Sequence, residues 1–184
     1  AHPDDEVLGF GASSYTLAGK GYKIFNCILS GQVEARKDRP ELNILSKNIL
    51  KAQKIIRASK TITGSFPNIK FNTVPHIELV EFIEKAIIDL EPDYIFTHHP
   101  YDLNNDHYHT SKACQAAARL FQRRKLKKLK GLFFMEILSS TDWSFNDGKN
   151  KFTPDTYIKV GKAGLNAKIK ALSEYKGIIR KYPH

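Results

Sequence analysis

Ala1-His2-Pro3-Asp4-Asp5-Glu6 sets one imidazole and three carboxylates within six positions, and only Val7 and Leu8 separate them from Gly9-Phe10-Gly11-Ala12. A solvated acidic turn needs no histidine, and a helix N-cap needs one aspartate rather than two. A divalent metal changes the balance, because it compensates carboxylates that otherwise repel at short range. His2 and Asp5 are three apart, so one turn of chain can bring imidazole nitrogen and carboxylate oxygen to the same ion. Asp4 lies between them, points elsewhere, and is left to hold a proton. Taken alone, the stretch is explained equally well as a loop that caps the next helix.

A second cluster decides between the two. His98-His99-Pro100-Tyr101-Asp102-Leu103-Asn104-Asn105-Asp106-His107-Tyr108-His109 holds four histidines and two aspartates in twelve positions, in a chain with seven histidines altogether. A catalytic zinc site takes three protein ligands and keeps a fourth position for water. Two ligands from the first cluster and one histidine from the second complete that set, with His99, His107 and His109 all competing for the last place.

The chain also resembles a family. Ala1-His-Pro-Asp-Asp-Glu6 reproduces the A-H-P-D-D-E signature of the LmbE-like (PIG-L) zinc N-deacetylases, and Pro100-x-Asp102-x-Asn104-x-Asp106-His107 is similar to their P-x-D-x-H-x-D-H. Phe66-Pro67-Asn68 and Glu136–Trp143 are weaker echoes. The resemblance implies zinc held by His2, Asp5 and His107, with iron(II) the competing metal at such donors. It implies Asp4 as general base, activating water and passing its proton to the departing amine. Asp106, and similarly Asp102, is expected to orient an imidazole or pair with a nearby charge; capping the next helix is the plainer role for either. Asn104 stands where the family has histidine, so it can stabilise an oxyanion but cannot titrate. His98, His99, Tyr101 and His109 are candidates to compensate, and Asn68 replaces a frequent aspartate. The implied substrate is an N-acetylated amino sugar or glycoconjugate. The alternatives are another N-acyl compound, such as a thiol conjugate, and a non-catalytic metal-binding α/β protein.

Strands and helices alternate along the chain, which argues a single α/β domain over 1–184. The resemblance implies a Rossmann-like three-layer sandwich with a mostly parallel sheet, its first strand missing before Ala1 and the chain therefore truncated there. Helices are expected over 8–18, 42–58, 77–90, 108–126 and 165–179. Strands are expected over 22–29, 61–63, 93–97 and 131–138, with a brief edge strand over 156–160. Both clusters then emerge at the carboxyl edge of one sheet, where such folds place ligands. Arg36 and Arg39 in the loop 30–40 are candidate anion clamps, against the plainer reading of solvated surface arginines.

A net charge of +10 favours an anionic small molecule. The basic run Arg123–Lys130 has no aromatic stacking ladder around it and reads as helix-end cations rather than a nucleic-acid surface. No apolar run has membrane-helix length. Cys27 and Cys114 sit among apolar neighbours and read as reduced, which suits the cytoplasm. A homo-oligomer is compatible with all of this.

Overall fold

The computed structural model describes residues 1–32, 40–122, 124–145, 148 and 150–176. Arg36 and Arg39 thus lie outside the described residues. The chain forms two compact units, His2–Asn68 with Thr153–His184, and Ile69–Phe152 with Ala1.

In the first unit, α1 (Asp5–Gly19) leads to β1 (Phe25–Ile28), α2 (Leu42–Ile55) and β2 (Lys60–Thr63), and α5 (Gly161–Ser173) returns from the far end of the chain. β1 and β2 pair in parallel, with Phe25 opposite Lys60 and Ile28 opposite Thr63. The helical stripe of α2 is realised: Leu45, Ile49, Ala52 and Ile56 are buried, while Leu42, in the first turn, stays exposed. These residues form one core with Val7, Ile28, Ala171 and Tyr175. α1 and α5 meet at Gly164, where a Cβ would lie 2.7 Å from Thr16 Oγ1 and 3.0 Å from the Ala12 carbonyl oxygen. Glycine at this point lets the two helix backbones come into contact.

The second unit contains α3 (His76–Leu90), β3 (Tyr94–His98), α4 (Asn105–Ala117) and β4 (Gly131–Met135). β3 and β4 are parallel, and register sets Phe96 opposite Phe133, whose rings stack with centroids 5.1 Å apart. α3 ends at Glu91 in a left-handed conformation (φ 41°), immediately before Pro92.

The mixed α/β class with short parallel strands is as expected, but several elements differ. Among the described residues the ladders form two two-stranded pairs rather than one sheet. Residues 156–160 are not a strand: they find no ladder partner among the described residues, and Tyr157 is largely exposed. α4 begins at Asn105 rather than Tyr108, because the Asn104 side chain caps it. It also stops at Ala117, well short of residue 126; closely spaced like charges in Arg123–Lys130 oppose helix there. Residues 124–130 therefore do not occupy a helical last turn. Instead Lys127 and Lys130 bind Asp93 Oδ1 at 2.8 and 3.0 Å. The hydrogen bonds from these two lysines hold the Asp93 carboxyl below its ordinary range. Cys27 is half-buried and Cys114 buried. Among the described residues no helix is long and apolar enough to cross a membrane.

Candidate metal centre

The opening motif turns directly into α1. The Asp4 carbonyl accepts from Val7 N–H at 2.9 Å and Leu8 N–H at 2.8 Å, which starts the helix. His2 and Asp5 are 4% and 5% exposed. Asp5 Oδ2 accepts the His2 backbone N–H at 2.7 Å and lies 3.3 Å from His2 Nδ1. Imidazole nitrogen and carboxylate oxygen thus come together across one turn of chain. Asp4 is buried and occupies the N-cap position with φ 111°, yet its side chain makes no capping hydrogen bond. The plain capping role does not account for it.

Glu6, to which the sequence assigned nothing, anchors the motif. Its Oε1 accepts from the Tyr175 hydroxyl and from Gln53 Nε2 at 2.7 Å, and its Oε2 accepts the Asp4 N–H at 3.0 Å. Burial pushes the Glu6 carboxyl up, against the opposing pull of the Tyr175 hydroxyl and nearby backbone donors. Burial, then the adjacent Glu6 charge, pushes the Tyr175 phenol up as well. Only the acidity of the hexapeptide hinted at such an anchor; its partners lie far along the chain.

In the second unit, the cap of Asn104 on α4 brings His107 into the first helical turn, buried at 2% exposure. His107 Nδ1 lies 3.1 Å from Asp102 Oδ1 and 3.2 Å from Ser140 Oγ. Asp102 Oδ2 also accepts from Ser140 Oγ at 3.0 Å and Thr141 Oγ1 at 2.7 Å. Burial pushes the Asp102 carboxyl up, but the His107, Asn104 and Thr141 hydrogen bonds together outweigh it and hold the group below its ordinary value. A carboxylate on Nδ1 fixes the tautomer with its proton there and turns the Nε2 lone pair outward, which is how metal-binding imidazoles are oriented. His98, on β3, stacks on His107 with ring centroids 3.9 Å apart, and its Nε2 lies 2.7 Å from the Ala1 backbone nitrogen.

Asp106 behaves differently from Asp102. It is fully buried, and its carboxylate accepts from the backbone N–H of Ile69 at 2.6 Å and of Phe71 at 2.9 Å. It secures a turn, while the carboxylate on the imidazole is Asp102. Asn104 Oδ1 accepts from Asp106 N–H at 2.9 Å. His99 is half-buried with its ring edge-on to Phe152; burial pushes its pKa down, against the pull of Asp102. His109 is half-buried beside Tyr108. Ser140 and Thr141 fall in the weak Glu136–Trp143 echo, which was the one signal for them.

The donors fit a metal. Buried imidazoles and carboxylates, one imidazole oriented by its own carboxylate, are a nitrogen-and-oxygen set suited to zinc or iron(II). Among solved structures the chain is similar to the conserved protein TT1542 from Thermus thermophilus, with TM-score 0.77 and 23% identity, covering 95% of this chain and 74% of that one. It is similar to the N,N'-diacetylchitobiose deacetylase of Pyrococcus horikoshii, with TM-score 0.75 and 15% identity over 98% and 68% of the two chains. It is also similar to GalB, the 4-carboxy-2-hydroxymuconate hydratase of Pseudomonas putida, with TM-score 0.76 and 16% identity over 97% and 77%. These likenesses establish the fold. No match is found among curated proteins. Residues 1–118, which contain both clusters, match the family model described as GlcNAc-PI de-N-acetylase, and the chain belongs to this PIG-L family.

Proposed function

We propose that the chain is a zinc-dependent hydrolase that removes the acetyl group from an N-acetylated amino sugar or glycoconjugate, with His2, Asp5 and His107 as metal ligands. The observation that carries the reading is the Asp102–His107 pair, which orients one imidazole as metal sites require, in a chain of the PIG-L family. A bound zinc would supply a Lewis acid that makes water nucleophilic at neutral pH and offsets negative charge developing on the acetyl oxygen. Iron(II) is the alternative ion for the same donors.

Asp4 accepts the proton of the attacking water and returns it to the amine that departs. Its burial suits a carboxylate used for proton transfer. Asn104 uses Oδ1 to cap α4, so its Nδ2 donors are what it has to offer a developing oxyanion. Asp106 supports the site indirectly, by fixing the turn at Ile69 and Phe71. The net charge of +10 favours substrates that carry an anion.

Metal analysis of the purified chain, with acetate release from a panel of N-acetylglucosamine derivatives, tests the reading. Asp4→Asn is expected to keep the metal and lose ~10²–10⁴-fold in kcat, whereas His107→Ala is expected to lose both. Full activity in Asp4→Asn removes it from the mechanism. A hydratase shares this fold, so acetate release is the decisive readout. Acetate from N-acyl thiol conjugates and none from any sugar would move the substrate to that second class.

A further inference from the structure

Glu6 grips the residue proposed as the base. Asp4 has φ 111° and ψ −31°, a backbone conformation that an aspartate holds only when its surroundings over-determine it. Its carbonyl is held by the start of α1, as any helix would hold it. Its N–H is held by a side chain, Glu6 Oε2 at 3.0 Å. That side chain is in turn aimed by two donors on its other oxygen, the Tyr175 hydroxyl and Gln53 Nε2. Asn26 fixes Gln53 by donating to its Oε1. Tyr175 is fully buried and Gln53 is 5% exposed, so water cannot replace either donor cheaply. Tyr175 stands 169 positions from Glu6, beyond the residues that match the family model.

We propose that Tyr175 is a positioning residue: its hydroxyl, with Gln53, holds Glu6 in the rotamer that clamps the Asp4 amide, and so sets the direction in which the Asp4 carboxylate leaves the backbone. The inference rests on the reading of Asp4 as general base. A tyrosine present only to fill the core would use its ring and not its oxygen, and this difference is measurable.

Tyr175→Phe keeps the ring and removes the oxygen. In the zinc-loaded full chain, exchange of the Asp4 backbone amide, followed by NMR, is expected to quicken at least tenfold. The Gly64 amide, bonded to the Ile28 carbonyl at 2.7 Å in the same unit, is expected to keep its rate. kcat should fall about 10–100-fold, the range for losing a partner that orients a metal site, with KM within twofold. Unchanged exchange at Asp4 overturns the proposal, whatever the rate. Faster exchange at Asp4 in a protein whose wild type releases no acetate upholds the clamp and sinks the hydrolase reading alone. Should Tyr175→Phe fail to fold, Gln53→Met removes the other donor on the same oxygen and must move the same two readouts, or the proposal falls.

Discussion

Asp102 and Asp106 flank the same histidine in sequence and have parted roles. Consecutive residues on a helix point about 100° apart, so Asp106 cannot readily face the imidazole beside it and turns to the amides of Ile69 and Phe71. Asp102, outside the helix, can reach His107. The candidate donors were legible in the sequence, since residue type and spacing mark them. Their supports were not legible, because those depend on which way a side chain leaves the backbone. Asp102→Ala strips the carboxylate from His107, Ser140 and Thr141. Zinc affinity, measured by competition with a chromophoric chelator, is expected to drop about 10–100-fold. Because the Asp102 pKa is lowered on folding, the stability it contributes is full above about pH 4 and is lost as pH falls through the lower, folded value. A wild-type affinity in Asp102→Ala would remove the carboxylate from any part in orienting the imidazole.

The elements were legible where periodicity had a core to serve. α2 and α3 sit within a few residues of their expected bounds, since each repeats apolar residues at helical spacing. The ends were less so: α4 is displaced at its start by an asparagine cap, a local hydrogen bond that no hydrophobic pattern records. The strand expected at 156–160 has no neighbour among the described residues, and a strand exists only with its ladder. The contact of α1 with α5 was invisible, because it depends on one missing side chain, at Gly164. Gly164→Val must push the helices apart, and overpacking of this kind costs about 1–3 kcal/mol. Urea unfolding of the purified variant measures it, and a midpoint equal to wild type would show that the helices part without cost.

For the chain as a whole, charge and metal bear on stability in different ways. The excess of cations is a surface property and concerns what approaches the protein. A metal that binds the folded chain stabilises it by mass action, about 2.7 kcal/mol at a hundred times its Kd. For a protein of this length that raises Tm by roughly 5–10 °C. Calorimetry with and without a strong chelator is therefore expected to separate two melting temperatures, and coincident melts would argue against the three-ligand site. The fold class was legible in the alternation of elements, and the family in two short motifs. The division into two compact units was not, because it follows from which distant segments pack together.

The end of α5 and the turn after it belong to the core of the first unit. Residues 1–118 carry both signatures, yet Ala171 and Tyr175 belong to the same buried cluster as Val7 and Ile56. A fragment cut where the family match stops would keep the proposed ligands and base and lose the wall behind its first hexapeptide. Its aliphatic side chains would then face solvent, and a buried acid would lack the phenol that answers it. The end of the family match thus leaves part of one buried core on its far side.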